Sequence, residues 1–407
     1  MLTLRNNQIP ISISFDGVAR RHPVTIARAL SSHHRQAGSV LASEETEPSE
    51  DKPLQAIYWV LTWACHRKCK HCYDDRFRPY IRDALTEVVG EGQAAFQKII
   101  DNLPDDLSWV DETGRRDRTL LVLAGGELLI NGVREELFYP VLDALREKYG
   151  EHAPKISIQT TGDVLTPDIL DECLARGVES IAIASIDDYH VGMQGEKKFA
   201  FMDRIRELMQ SRGVREVSLG GAKDKRLKEP DVAAGRNLTG PTFLFFGAQE
   251  DLWIGELWPR GRALSSGLSK AGYDINFSAR WSGAKNFLHI GRVGSEVAIE
   301  PDGSIYPCCL KTKAPLGNLT EETLADILSS VAALPAIQAL NDGDPERMGA
   351  SAGWTRARFQ QESLAKDGRG QDIANMCLGC GRFFEQVLSA QLADLRRERL
   401  AARELVA

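Results

Sequence analysis

The stretch that decides the fold is Gln55-Ala56-Ile57-Tyr58-Trp59-Val60-Leu61-Thr62-Trp63, which runs straight into Ala64-Cys65-His66-Arg67-Lys68-Cys69-Lys70-His71-Cys72-Tyr73. Its first half is a nearly continuous apolar run of strand length. Such runs mark strands buried on both faces, as in parallel sheets covered by helices. Its second half is a C-x3-C-x2-C triplet placed just past that strand. Working outward, the alternation repeats. Strands are expected at 119–124, 155–160, 179–186, 216–220 and 251–257, and helices at 84–102, 133–149, 166–176, 198–212 and 229–236. Alternating β and α segments predict a parallel sheet with helices outside it. Six βα units predict an α/β fold, a partial (βα)6 TIM-like barrel, short of the eight units that close one.

The flanks read differently. Residues 1–52 form an extension with one strand-like alternation at 11–15 and an acidic linker at 43–52. Its His33-His34 pair has no carboxylate partner in the pattern and reads as exposed. Further on, 297–306 reads as a hairpin around Pro301-Asp302-Gly303, followed by a helix at 321–334. Residues 341–372 are polar and Gly-rich and are expected to be loop, with Trp354 and Phe359 as anchors. The tail from Glu385 is an amphipathic helix. Leu388, Leu392 and Leu395 mark its buried face, and Arg396, Arg397 and Arg399 its solvated one.

Composition narrows the function. At 407 residues, 43% hydrophobic and 26% charged, the chain is globular and long enough for two or three domains. A net charge of -7 gives no basic footprint for nucleic acid. No apolar run reaches the ~18–20 residues of a membrane span, and no export signal is evident. The expectation is a cytoplasmic protein without nucleic-acid or membrane partners. There the eight cysteines point to metal or catalysis rather than a disulfide framework. Seven are clustered: the triplet Cys65, Cys69 and Cys72, the adjacent pair Cys308-Cys309, and the C-x2-C pair Cys377 and Cys380. Cys173, alone in a helix, reads as core. Three thiolates can hold three irons of a 4Fe–4S cube and leave the fourth open for chemistry. The competing reading is a zinc knuckle completed by His66 or His71.

With the triplet and Tyr73 on the page, further motifs join in order. They are Gly125-Gly126-Glu127, Thr160-Thr161-Gly162, Ser185-Ile186-Asp187 and Pro259-Arg260-Gly261-Arg262-Ala263, each after an expected strand. The set resembles the radical S-adenosylmethionine superfamily across roughly residues 55–265. One departure is Leu128, where many relatives carry proline. The resemblance implies a 4Fe–4S cluster on Cys65, Cys69 and Cys72 that chelates S-adenosylmethionine at its open iron. One electron then gives methionine and a 5′-deoxyadenosyl radical that abstracts hydrogen from a substrate. It implies cofactor contacts from Tyr73 at the adenine, Gly125 and Gly126 at the methionine, and Glu127 at the amino group. Thr160, Ser185, Asp187 and Arg262 complete that set. An external electron donor such as flavodoxin or ferredoxin is also implied.

The run 299–309 with Leu316-Gly317-Asn318 resembles the SPASM domain or its shorter twitch form, which hold auxiliary iron–sulfur clusters. Four cysteines remain for it: Cys308, Cys309, Cys377 and Cys380. That number implies one auxiliary cluster and a small C-terminal twitch-like domain. Neighbouring side chains of an extended chain point to opposite faces. Three thiolates with an open or non-cysteine fourth position therefore fit as well as four, and a four-cysteine zinc site competes. The division expected is 1–52 extension, 53–265 core barrel, 266–298 connector, 299–384 auxiliary domain and 385–407 terminal helix. Asp187-Asp188-Tyr189-His190 could bind substrate or carry a proton, and Lys311 and Lys313 read as surface lysines. The leading expectation is a radical enzyme that modifies a ribosomally made peptide. The alternatives are a dehydrogenase or rearranging enzyme on a small molecule or cofactor precursor, and a non-enzymatic electron carrier or sensor.

Overall fold

A computed structural model describes residues 56–110, 114, 116–217, 240–247, 257–279, 283–288 and 296–405. The strand expected at 11–15, the linker, His33-His34, the helix at 229–236 and the segment 251–256 lie outside the described residues.

Strand β1 (Ala56–Val60) leads through the cysteine loop to helix α1 (Asp83–Asp101). A small hairpin, β2 (Ser108–Val110) and β3 (Arg116–Arg118), precedes β4 (Leu120–Ala124). A π-helical turn at Arg134–Phe138 opens α2 (Tyr139–Tyr149). Then follow β5 (Lys155–Thr160), α3 (Pro167–Ala175), β6 (Val178–Ile183), α4 (Lys197–Gln210), β7 (Arg215–Glu216), β8 (Thr242–Phe245) and α5 (Gly261–Ser265). The second half holds β9 (Glu296–Ile299), β10 (Ser304–Tyr306), β11 (Gly317–Asn318), α6 (Leu324–Ala332) and α7 (Pro335–Asn341). It ends with α8 (Arg356–Glu362), the hairpin β12 (Leu364–Lys366) and β13 (Asp372–Ala374), α9 (Met376–Phe383) and α10 (Ser389–Glu404).

Nine strands form one sheet in the order β11-β10-β9-β1-β4-β5-β6-β8-β7, parallel from β9 to β7. Register places apolar rows side by side: Ile57 opposite Leu121, Leu121 opposite Ile156, Ile158 opposite Ile181. Helices cover the sheet with stripes at helical spacing, such as Val88, Ala95 and Ile99 on α1 and Val141, Leu142, Leu145 and Tyr149 on α2. Each such side chain removed from water contributes roughly 1.5–3 kcal/mol. The architecture is the expected partial barrel of an α/β protein. Cys173 is fully buried in α3.

Four expectations need correction. Strand β8 went unread, although it sits between β6 and β7. A four-residue strand carries too little periodicity to stand out in the sequence. Residues 341–372 are not loop: they hold the end of α7, a 3-10 stretch at Pro345–Ala352, α8 and β12. Trp354 and Phe359 do anchor that region, with the Trp354 ring 5.1 Å from Phe383. Arg399 is not solvated. It is buried against the fully buried Glu322, with Nε 2.5 Å from Oε2, and it donates to Ser330 Oγ at 2.7 Å and the Leu316 carbonyl at 3.2 Å. Lys311 is buried too; its ammonium lies 2.8 Å from Glu300 and 4.3 Å from the Trp63 ring centre. A long aliphatic stem lets such cations cover apolar surface while the head meets a buried acid, which composition cannot foretell. Among the described residues no single helix is long and apolar enough to cross a membrane.

Candidate functional site

The carboxyl ends of β1, β4, β5, β6 and β8 open into one cavity of about 170 Å³. This is where parallel sheets place ligands. Cys65, Cys69 and Cys72 line it with Tyr73, Gly125, Gly126, Thr160, Asp187 and Arg262. Of the expected site residues, Glu127 and Ser185 are not in its wall.

The cysteine loop is held from three sides. Gly126 donates its N–H to the Thr62 carbonyl at 3.0 Å and Glu127 its N–H to Ala64 at 2.9 Å. A Cβ on Gly126 would stand 2.2 Å from the Ala64 carbonyl oxygen and 2.7 Å from Cys65 Cβ. The glycine is thus required by the loop itself, whatever ligand approaches. On a second side Arg262 gathers carbonyls, donating to Cys69 and Asp75 at 2.8 and 2.9 Å and also to Phe77. Gly261, at φ 53°, lets α5 approach Tyr73 so closely that a Cβ would lie 2.4 Å from its carbonyl carbon. On the third side Asp163, just past β5, grips His66 Nε2 at 2.9 Å and Arg67 Nη2 at 2.5 Å. Burial works to raise the Asp163 carboxyl. The hydrogen bonds from His66, Thr161 and Arg67 outweigh it and hold the group well below the usual range. This latch was missed in the sequence; its only signal was an acid directly after Thr160-Thr161-Gly162.

Glu127 is 1% exposed. Its carboxylate accepts from Thr160 Oγ1 at 2.8 Å, Thr161 N at 2.7 Å and Leu129 N at 3.1 Å. Thr161 Oγ1 also lies 2.7 Å away, but it has a single proton to divide between Glu127 and Asp163, so the carboxylate keeps capacity for one further donor such as the implied cofactor amine. Ser185 is buried and donates to the Thr161 carbonyl at 2.9 Å. Asp187 accepts from His190 Nδ1 at 2.9 Å and from the N–H groups of Tyr189 and His190. His71 packs edge-on against His190, with ring centres 4.4 Å apart. Burial, then the neighbouring His190, lowers the His71 pKa to about 4. Asp188 turns away to pair with Lys198 at 2.9 Å.

The thiols fit a metal cluster. Burial pushes Cys65 up to about 12 and Cys72 up to about 11, and raises Cys69. Three thiolates so enclosed are favourable only with metal cations to offset them. A single zinc would draw its sulfurs to within about 4 Å of one another on ~2.3 Å bonds. Among the described residues, the sets of three or more His, Cys, Asp or Glu with all ligand atoms within 4.8 Å are His71/Asp187/His190 and His66/Glu127/Asp163. The cysteine triplet is spread more widely, as a cluster needs.

A second cavity, about 540 Å³, lies beside the first, and Tyr73 lines both. Cys308, Cys377 and Cys380 face into it, while Cys309 faces the first cavity. The adjacent pair is therefore split between two sites; the segment is not the extended one expected but a turn, closed by Lys311 N–H on the Cys308 carbonyl at 3.0 Å. Burial pushes the Cys308 thiol up to about 11 and raises Cys377 and Cys380 further. α9 begins at Asn375, whose side chain accepts from Cys377 N at 3.0 Å. Gly379 lets the helix pack on α8: a Cβ there would stand 2.2 Å from Ser363 Oγ. Trp63 packs against the Arg76 guanidinium at 3.5 Å and the Lys311 ammonium at 4.3 Å, which ties the segment after the β9–β10 hairpin to the cysteine loop. Glu300 binds both cations at 2.8 Å. Lys313 is exposed, as expected.

Residues 292–349 match the SPASM family, described as an iron–sulfur cluster-binding domain. The AdoMet-dependent heme synthase of Methanosarcina barkeri (strain Fusaro / DSM 804) is 27% identical over 160 residues, covering 37% of this chain and 39% of that protein. The chain thus matches well under half the length of that relative. Among solved structures, BtrN in complex with AdoMet and 2-DOIA is 14% identical at a TM-score of 0.40, covering 72% of this chain and 89% of BtrN. Streptococcus suis SuiB bound to S-adenosylmethionine is 12% identical at 0.33, covering 75% and 68%. At these scores neither structure bears on site or substrate. Residues 292–349 thus carry a SPASM-type iron–sulfur cluster-binding domain, and the ordered cysteine, glycine and Thr-Thr-Gly motifs before it make the chain similar to radical S-adenosylmethionine proteins, whose cofactors are a 4Fe–4S cluster, S-adenosylmethionine and auxiliary iron–sulfur clusters.

Proposed function

We propose that the chain is a radical S-adenosylmethionine enzyme that abstracts a hydrogen atom from a ribosomally made peptide. The observation that carries the radical chemistry is the convergence of Cys65, Cys69 and Cys72 on one cavity with Tyr73, Thr160, Asp187 and the Gly125-Gly126 turn. When bound, the cluster supplies the electron that cleaves S-adenosylmethionine and so generates the hydrogen-abstracting radical. The chain's own residues bind, orient and exclude water. Cys65, Cys69 and Cys72 ligate. Tyr73, packed edge-on against Trp258 with ring centres 5.1 Å apart, offers an apolar wall for the adenine. Thr160 and Asp187 offer polar atoms to the ribose and carboxylate groups. Arg262 and Asp163 keep the loop in place. His190, held by Asp187 at 2.9 Å, lines the same cavity and is the group we assign to move a proton.

The peptide assignment leans on the SPASM match. The name of the heme synthase relative favours a second reading, a tetrapyrrole or other small molecule. In our reading Cys308, Cys377 and Cys380 hold one auxiliary cluster, and an external donor of the flavodoxin or ferredoxin type reduces the centres. Residues 53–265 act as the core and 299–384 as the auxiliary domain, in the cytoplasm.

The test is anaerobic reconstitution with iron, sulfide and a low-potential reductant, followed by measurement of 5′-deoxyadenosine. Formation that Cys69→Ala abolishes is expected. No nucleoside above background, with the cluster intact, overturns the reading and leaves an electron carrier. Deuterium moving from a labelled peptide, or from a labelled tetrapyrrole, into the nucleoside decides the substrate class.

A further inference from the structure

We propose that Ser278 supplies an oxygen ligand to the fourth iron of the auxiliary cluster, whose other ligands are Cys308, Cys377 and Cys380. The proposal rests on the auxiliary-cluster reading above, but not on S-adenosylmethionine cleavage.

The cavity that holds the three thiols also holds Ser278. That residue is 8% exposed, and its hydroxyl has no hydrogen-bond partner among the described residues. A buried hydroxyl left unpaired costs about 1–3 kcal/mol, so one in a native site calls for a missing partner. The Tyr73 hydroxyl, also in the wall, is likewise buried without a hydrogen-bond partner among the described residues, but its residue lines the first cavity as well. Other polar side chains of the wall are engaged or open to solvent. Asp74 is held by Arg76 at 2.7 Å. Asn276 donates to the Gly343 carbonyl at 2.8 Å, and Thr312 to Ala314 at 2.8 Å. Asp75 and Glu385 are exposed. Cys309, the remaining cysteine nearby, faces the other cavity.

The position of Ser278 relative to the cysteines is fixed by the fold. It sits in the one-turn 3-10 segment Phe277–Ala279, which packs on α9, the helix of Cys377 and Cys380. Asn375, fully buried at the start of α9, clamps the two together. Its Nδ2 donates to the carbonyls of Gly272 at 2.9 Å and Ile275 at 3.1 Å, while its Oδ1 holds Cys377 N at 3.0 Å. A buried hydroxyl is thereby presented to the cavity from a segment that the ligand-bearing helix holds through Asn375.

The chemistry is a ligand exchange. The Ser278 O–H bond breaks, its proton passes to solvent, and an Fe–O bond forms as the water that would otherwise complete that iron leaves; no electron moves. Iron makes the hydroxyl acidic as metals do bound water. The Arg260 guanidinium, whose field reaches Cys308 and Cys377, offsets the added negative charge.

The test uses the full chain with Cys65, Cys69 and Cys72 all changed to Ala, so that only the auxiliary cluster remains. After anaerobic reconstitution, EPR and added ⁵⁷Fe report whether one iron is labile. The expected result is a cluster resistant to exchange and to conversion to a three-iron form. Adding Ser278→Ala should make one iron exchangeable and give the three-iron EPR signal on mild oxidation. Ser278→Cys should restore resistance with shifted g-values, and it serves as the readout if the alanine variant holds no cluster. A parent whose fourth iron already exchanges freely, or an alanine variant with an unchanged spectrum and unchanged lability, overturns the proposal. Zinc in place of iron overturns the auxiliary-cluster reading and this one with it. Because these variants cannot cleave S-adenosylmethionine, failure of the radical reading is detected separately.

Discussion

Replacing Gly126 by alanine tests whether that glycine serves the protein or the cofactor. A Cβ there would lie 2.2 Å from the Ala64 carbonyl oxygen, 2.5 Å from its carbon and 2.7 Å from Cys65 Cβ. The first contact is more than about 1 Å inside ordinary van der Waals separation. Two of the three obstacles are backbone, which cannot swing aside as a side chain does. Overpacking of this kind costs about 1–3 kcal/mol. The relief available is to push residues 64–65 outward, which carries Cys65 away from Cys69 and Cys72. We therefore expect Gly126→Ala to lose the iron and sulfide of the cavity cluster after anaerobic reconstitution, with a lower melting temperature by circular dichroism. Gly125→Ala is the internal comparison. Its Cβ would meet the Thr62 carbonyl oxygen at 3.0 Å and the Leu128 side chain at 3.1 Å, and should cost less on both counts. A Gly126→Ala protein with full iron, unchanged melting and selectively weakened S-adenosylmethionine binding refutes this reasoning. It would assign the glycine to the cofactor instead.

Three further outcomes are expected. Cys308→Ala should lose one cluster's iron, while Cys309→Ala keeps it; equal losses measured by iron assay would contradict the placement of the two thiols in different cavities. Glu296 is 3% exposed with Oε1 unpartnered among the described residues, and burial raises its pKa to about 8 from an ordinary 4.5. The folded state thus holds a proton that the unfolded chain releases, so this contribution is full below about pH 4.5 and is lost as pH rises through about 8. Glu296→Gln should flatten that fall in denaturation midpoints between pH 5 and 8, by an amount on the order of a few kcal/mol; an unchanged slope would count against it. Arg399→Leu leaves Glu322 buried with Arg396, 3.3 Å away, as its one remaining cation among the described residues. Breaking a buried pair costs about 3–5 kcal/mol, and urea unfolding should show a loss of that order, whereas a midpoint within error of the parent would mean the pair is dispensable.

How far the sequence carried depends on the range of the forces involved. The buried strands announced themselves because every residue of β1 and β4 had to be apolar, a demand written locally. Helices α1 to α4 were legible from stripes at helical spacing. Cys65, Cys69 and Cys72 stand close in the chain, so their convergence costs little loop closure and shows in the spacing. The short strand β8 and the helices of 341–372 did not show. Their stability comes from what they pack against, as when Trp354 and Phe359 meet Phe383.

By itself, then, the sequence determined the barrel class, the thiol triplet and the existence of a second cysteine site, since each is encoded in neighbouring residues. Tertiary structure alone decided that Cys308 and Cys309 line different cavities, that Glu127 is held by threonines 33 and 34 residues away, and that Lys311 and Arg399 are buried ion-pair partners. It also decided that Ser278, about a hundred residues before α9, lines the same cavity as the cysteines of that helix. The reason is one of distance along the chain. Side-chain direction and long-range pairing are set by packing between segments remote in sequence, and no local pattern records which remote segment will arrive.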